Sequence, residues 1–271
     1  MLNAIKHKFD IIKAVAIVTY KEWAVYRTHS MVSIFVGPVY FITQYFIWTA
    51  VYSGQSDVGG MTLDGIIAYF GITALIGYFT MDFADWNLQM LIRTGKYETF
   101  ALRPINHIFF AFSQKAGHRV LGVIFEVIPV SMIFIFIFKV PLMPVYPVWA
   151  VISVILCFFM NFFVNYTIGL TAFWLTQSSG LRQVFQLFKS IFSGALIPLT
   201  FFPEVFQKIF FYLPFQYVSY VPATVWTGNY PMADVTIPQI VAIQAVYTVL
   251  AMGICFVLYN FGNKRFSGVG G

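Results

Sequence analysis

The sequence has 271 residues, of which 59% are hydrophobic, 20% aromatic and only 10% charged. Soluble domains carry about 25% charged residues, so this composition excludes a water-soluble domain and predicts an all-α, polytopic membrane protein. The net charge of +6 requires no nucleic acid partner, because Lys and Arg collect in the cytoplasmic loops of membrane proteins.

The first element is a predicted basic amphipathic helix over residues 2–27. Its apolar side chains recur at intervals of three and four residues, which places them on one helical face. They are Ile5, Phe9, Ile12, Ala16, Tyr20 and Trp23. Such a helix is typical of a segment that lies on the cytoplasmic membrane surface. The alternative is a poorly ordered basic tail.

Six long apolar runs follow, and each is close to or above the roughly 17–25 residues that a spanning helix needs. Backbone amides in hydrocarbon must pair within the protein, so we interpret all six runs as transmembrane helices. They cover residues 31–52, 65–81, 120–140, 145–175, 184–202 and 237–261.

The segment between the last two runs, 203–236, is unusually apolar for a loop. Pro203, Pro214 and Pro222 divide it into pieces that are too short to cross a membrane. We interpret these pieces as two short re-entrant helices in the outer leaflet. The alternative is an interfacial loop with an aromatic belt.

The basic residues predict the orientation of the six spans. With this topology, 14 of the 16 Lys and Arg residues lie on one side of the membrane, and only Lys139 and Lys208 lie on the other. The positive-inside rule then places both termini in the cytoplasm.

Charged and strongly polar residues within spans are costly in lipid and are candidates for a translocation path. Two stripes stand out at helical spacing, one in the fourth span and one in the fifth, and Glu126 lies in the third span with no basic partner evident at helical spacing. The candidates are Glu126, Asn161, Asn165, Gln186, Lys189 and Ser193. The alternatives are hydrogen bonds between helices and, for Lys189, a side chain that reaches to the cytoplasmic interface.

The cytoplasmic loop 84–106 mixes apolar and charged residues at helical spacing, and Gly95 and Pro104 punctuate it. This pattern predicts a short amphipathic helix that docks a partner protein. A solvated loop is the alternative.

The chain shows no catalytic motif and no metal-ligand spacing, and it is not expected to be an enzyme. Gly95-Lys96 fails the nucleotide-binding loop pattern, because Tyr97 follows where Ser or Thr is required and Met90 stands in place of the first glycine. If the protein uses ATP, another chain therefore binds the nucleotide and its magnesium.

Residues 92–106, with the sequence IRTGKYETFALRPIN, resemble the loop after the second span of bacterial type-2 ABC transporter permeases. The resemblance implies a permease subunit in the bacterial inner membrane that pairs with a second permease, identical or paralogous, and with separate ABC ATPase subunits. It also implies that the loop is the coupling helix, which contacts the ATPase. The residues assigned to this coupling role are Arg93, Gly95, Lys96, Tyr97, Leu102, Arg103 and Pro104.

The resemblance implies transport that is usually outward, between the two permeases. The 32 Phe and 16 Tyr residues favour a hydrophobic or amphipathic substrate. An ATP-independent secondary transporter or channel is one alternative, although the inverted repeats of such proteins are not evident. A membrane scaffold or membrane-embedded enzyme is another.

Overall fold

The computed structural model describes residues 10–21, apart from 12 and 16, and residues 27–265, apart from 104, 176 and 177. These residues form helices, turns and one isolated bridge between Val58 and Met61, with no strand among them. Within this part of the chain, five helical stretches are long and apolar enough to cross a membrane. They cover Val32–Val51, Leu63–Arg93, His107–Phe136, Pro147–Phe173 and Ile237–Lys264. The prediction of an all-α polytopic membrane protein is confirmed.

We number the α-helices in chain order from Arg27. They are α1 (Arg27–Val51), α2 (Leu63–Thr80), α3 (Ala84–Arg93), α4 (Lys96–Ala101), α5 (His107–Gly122), α6 (Ile128–Phe136), α7 (Pro147–Leu170), α8 (Ser179–Phe192), α9 (Glu204–Tyr212), α10 (Tyr220–Thr227) and α11 (Ile237–Arg265). A π-helical segment, Val123–Val127, joins α5 to α6, and short 3-10 turns cover Thr171–Phe173, Leu199–Phe201 and Pro214–Val218.

Helix α2 runs along the bundle and defines its two ends. We call the end where α2 leads into α3 the α3 end, and the end where α1 leads into α2 the opposite end. The largest buried side chains are aromatic, and they pack α1, α2, α7 and α10 together. They include Phe41, Tyr69, Phe70, Phe162, Tyr217 and Tyr220. A second cluster of buried side chains, which includes Leu88 of α3 and Phe162 of α7, holds α3 against α7.

The third span begins earlier than predicted. Helix α5 starts at His107, where the Asn106 side chain caps it by accepting a hydrogen bond of 2.9 Å from the Ile108 amide. Lys115 and Arg119, which the sequence analysis assigned to the cytoplasmic loop, therefore lie inside the helix and are buried. Their burial is possible because each has an acidic partner in the fold.

The predicted fifth span is an interrupted helix. Helix α8 has 14 residues and rises about 21 Å, which is shorter than the roughly 30 Å hydrocarbon core. The chain then turns at Gly194, whose φ is +77°. Arg182 contacts Asp85 at the α3 end and Thr200 contacts Met61 at the opposite end, so the segment still runs the length of the bundle. A count of six spanning helices is not confirmed.

The predicted re-entrant segment holds two short helices, α9 and α10. Six of the eight residues of α10 are buried, and Val221, Ala223 and Val225 have no exposed surface. By contrast, α9 leaves Val205 and Tyr212 largely exposed. Their position in the outer leaflet stays a prediction.

The predicted N-terminal helix over 2–27 lies largely outside the described residues. The described residues between 10 and 21 are helical. Thr19 is buried and Tyr20 is exposed. The predicted apolar face therefore cannot be traced along its whole length, and its contact with the membrane surface stays a prediction.

Candidate functional site: a predicted coupling loop and a neighbouring ion cluster

The predicted coupling loop is a pair of short helices joined by a tight turn at Gly95. Helix α3 ends at Arg93, and Gly95 then adopts a φ of +71° before α4 begins at Lys96. This left-handed conformation costs a residue with a side chain about 1–2 kcal/mol, so glycine at this position lets the chain reverse without strain. The turn separates α4 from the end of α3.

One face of α4 is anchored in the protein by two aromatic side chains. The Tyr97 hydroxyl donates a hydrogen bond of 2.5 Å to Oδ1 of Asn263 and lies 3.5 Å from the Tyr259 hydroxyl, both on α11. Burial raises the pKa of Tyr97, with a further contribution from Tyr259, so the hydroxyl keeps its proton and acts as a donor. Phe100 packs edge-on against the His107 ring at 4.5 Å. These contacts hold α4 against α5 and α11.

The other face of the coupling loop is open. Arg93, Lys96 and Arg103 are exposed, and Leu102 is 87% exposed. The Arg103 guanidinium lies 5.1 Å from the centre of the Phe100 ring, which orients it on this surface. Pro104, the remaining predicted coupling residue, lies outside the described residues.

Four of the predicted path residues meet between α7 and α8. The Lys189 ammonium donates to Oδ1 of Asn161 at 3.2 Å and to Oδ1 of Asn165 at 2.8 Å. Gln186 Nε2 also donates to Oδ1 of Asn165, at 3.3 Å. Both asparagines therefore bond across the helix interface, as the interpretation of interhelical hydrogen bonds expects. A role in translocation stays a prediction.

Two acidic residues that the sequence analysis did not select complete this cluster. Asp85 Oδ2 accepts a hydrogen bond of 2.9 Å from Gln186 and lies 3.6 Å from Nη1 of Arg182. Asp82 Oδ2 lies 3.6 Å from the Lys115 ammonium and accepts a hydrogen bond of 3.4 Å from Asn165. Lys115 also donates to the Phe158 carbonyl at 2.9 Å.

We call this group the ion cluster. It comprises Asp82, Asp85, Lys115, Asn161, Asn165, Arg182, Gln186 and Lys189. It links the start of α3 to α5, α7 and α8. The available signal in the sequence was a pair of acidic residues directly after the second apolar run. Both carboxylates are almost inaccessible, with side chains 3% exposed, which is uncommon for unpaired acids.

Glu126 forms an ion pair with Arg119. Its Oε2 lies 3.2 Å from Nη1 of Arg119, and its Oε1 accepts a hydrogen bond of 2.6 Å from Ser33. The prediction that Glu126 has no basic partner at helical spacing is wrong, because Arg119 lies in the same helical stretch at i, i+7 and not in a loop. Arg119 also donates to the Tyr78 carbonyl at 2.7 Å, so the pair joins α1, α2 and the third span.

Ser193, the last path candidate, is separate from both groups. It is buried, and its backbone carbonyl accepts a hydrogen bond of 2.9 Å from the Tyr220 amide. Its hydroxyl accepts from the Ala195 amide at 3.4 Å. Ser193 therefore helps to hold the break after α8 against α10.

Comparison with known protein families matches most of the chain. The family model described as ABC-2 family transporter protein matches residues 39–270, which includes both the coupling loop and the ion cluster. No curated protein and no solved structure matches this chain.

Proposed function

The chain belongs to the ABC-2 transporter family and is a multi-pass permease subunit of an ABC transporter; on that premise, we propose that it exports a hydrophobic or amphipathic substrate. In this proposal two permeases, identical or paralogous, form the path, and separate ATPase subunits bind ATP and magnesium. The α3 end faces the cytoplasm of a bacterial cell, with both termini on that side, as the distribution of basic residues indicates.

The observation that carries the proposal is the two-sided character of α4. Tyr97 and Phe100 are buried, whereas Leu102, directly after the helix and next to Arg103, is almost fully exposed. A helix that is packed against the protein on one side and exposed on the other can be displaced by a partner protein without unfolding. This arrangement supports α4 as the element that contacts the ATPase.

The ion cluster supports a route for that movement into the bundle. Asp85 lies in the first turn of α3 and bonds to Gln186 and Arg182 of α8. Displacement of α3 would therefore pull directly on α8. A nucleotide shifts the balance between inward- and outward-open states only through its differential affinity for them. In this proposal the nucleotide binds the ATPase, and the ATPase contacts the permease at α3 and α4. These two helices must therefore differ in position between the two states.

The surface of α8 supports a second permease subunit beside it. None of its residues is fully buried in the described part of the chain. Leu181, Val184, Leu187 and Phe188 expose between two and three fifths of their surfaces. An interrupted helix with an uncovered apolar face suits an interface between two bundles.

The coupling proposal is tested by charge reversal at Arg103, with the ATPase and permease expressed together. Arg103→Glu should reduce transport and the recovery of the ATPase with the permease, while membrane insertion stays normal. Lys208→Glu is the matched control, because Lys208 is also exposed but lies at the opposite end. Normal transport by Arg103→Glu at normal expression would refute the assignment of the loop.

The substrate class is tested separately, in reconstituted complexes of permease and ATPase. Hydrophobic and amphipathic compounds should stimulate ATP hydrolysis in these complexes. Stimulation by polar sugars alone would count against this part of the proposal and would leave the coupling role of α4 intact.

A further inference from the structure

A cleft of about 640 Å³ opens between α3 and α5 at the α3 end, and Thr19 lies at its rim. Sites for small molecules commonly enclose about 300–1,000 Å³, so the cleft is large enough for a ligand. It lies next to the ion cluster, and Lys115, Asp82 and Arg182 belong to both.

One wall of the cleft is apolar and open. Phe83 and Trp86 line it and are 50% and 47% exposed. Leu91 of α3 and Phe110 of α5 also line the cleft. Aromatic and aliphatic side chains at this position offer a surface for a hydrocarbon chain.

The other wall presents more positive than negative charge. Among the described residues, Lys115, Arg119 and Arg182 line the cleft together with one carboxylate, that of Asp82. Asp85, the carboxylate partner of Arg182, does not line it. The cations therefore face the cleft while most of the compensating carboxylate charge lies behind them.

Arg182 has unused capacity for hydrogen bonding. Among the described residues its side chain has one ion-pair contact, at 3.6 Å from Asp85, and its Nε is buried without an acceptor. A guanidinium has five donors in a planar fork that matches carboxylate and phosphate groups. The Arg182 side chain is 27% exposed, so an acidic group in the cleft can reach its guanidinium.

We propose that this cleft binds an anionic amphiphile, with its acidic head group at Arg182 and its hydrocarbon chain along Phe83 and Trp86. Two sources share this chemistry, an acidic phospholipid of the adjacent leaflet and a single-chain amphiphile on its way to transport. Basic pockets between spans at the cytoplasmic side are suited to lipid head groups. Only the second source rests on the proposed export function.

The test uses the full chain in phosphatidylcholine nanodiscs, with brominated phosphatidylglycerol added at increasing mole fraction. Bromine quenches tryptophan fluorescence on contact, so Trp86 should report binding as a saturable loss of signal that Trp86→Phe removes. Gln114→Glu adds a negative charge to the cleft lining and should weaken binding about fivefold, the effect of about one interfacial charge. Gln55→Glu is the matched control at the opposite end.

Brominated phosphatidylcholine should give no saturable quenching. Equal quenching by this neutral lipid, or equal affinity of the Gln114→Glu and Gln55→Glu proteins, would overturn the proposal. Dodecyl phosphate then separates the two sources: displacement of the brominated lipid shows that a single-chain anion is accepted, and retention restricts the ligand to a two-chain lipid. Binding is measured without ATP, so a failure here would leave the permease function unaffected.

Discussion

The two halves of the bundle are held together by different kinds of hydrogen bond. At the α3 end, charged and amide side chains from four segments bond to one another. In the opposite half, tyrosine hydroxyls bond to backbone carbonyls. Lys189, Asp85 and Arg182 represent the first arrangement. Tyr69 donates to the Gly194 carbonyl at 2.7 Å, and Tyr40 donates to the Ala195 carbonyl. Both arrangements hold the segment 179–202 in place. The first contacts α8, before the turn at Gly194, and the second contacts the turn itself.

The difference has a functional consequence. Bonds between charged side chains can exchange partners when helices shift, because several donors and acceptors lie within reach of one another. The Tyr69 and Tyr40 hydroxyls donate to carbonyls in the turn at Gly194, so these bonds depend on the geometry of that turn. We therefore expect the α3 end to be the part that rearranges during transport, and the region around Gly194 to act as a fixed support.

The largest expected effect comes from Arg119→Met, which leaves the Glu126 carboxylate buried without its cation. Breaking a buried ion pair by removing one partner costs about 3–5 kcal/mol. The free energy of unfolding, measured by SDS titration in mixed micelles, should fall by that amount. The double variant Arg119→Met, Glu126→Leu should recover most of the loss, since paired removal leaves no buried charge. A single variant as stable as the wild type would contradict the ion pair.

Lys189→Met should lower the free energy of unfolding by about 2–3 kcal/mol, because it removes the charged donor from two buried asparagine oxygens. The same titration measures it. Lys96→Met is the matched control, since Lys96 is exposed and its loss should cost less than about 0.5 kcal/mol. Similar losses in the two variants would mean that Lys189 is not bonded inside the bundle.

Gly194→Ala tests the fixed support and should cost at least about 1–2 kcal/mol, because alanine is strained at a φ of +77°. Its Cβ would also lie 3.0 Å from atoms of Tyr220 and Tyr69. Gly180→Ala is the control, since nothing lies within 4 Å of the added Cβ there. Thermal unfolding in detergent should separate the two variants; equal midpoints would argue against a rigid turn at Gly194.

The smallest effect is expected for Tyr69→Phe, which removes one hydrogen bond to the Gly194 carbonyl. The loss should be about 1 kcal/mol and should appear as a small decrease in the thermal midpoint. Tyr212→Phe provides the comparison, because Tyr212 is 73% exposed. A larger loss of stability in Tyr69→Phe than in Lys189→Met would contradict the order expected for one neutral hydrogen bond and two charge-assisted ones.

Several features followed from the sequence because they depend on local composition and periodicity. Apolar runs of sufficient length predicted five stretches that the structure also has as helices, since hydrocarbon leaves the backbone no other way to pair. Gly95 and Pro104 marked the predicted coupling loop, and Gly95 indeed forms a left-handed turn between α3 and α4. The resemblance of residues 92–106 also indicated the family, which the match over residues 39–270 confirmed.

Other features depended on contacts between residues far apart in the chain, and only the tertiary structure decided them. Asp82 and Lys115 lie on different segments, so no helical spacing could pair them. Arg119 was placed outside the membrane because an isolated charge ends an apolar run, and only its bonds to Glu126 and the Tyr78 carbonyl explain its burial. Composition alone established that this chain enters a membrane, whereas the fold determined which charged side chains could be buried within the bundle.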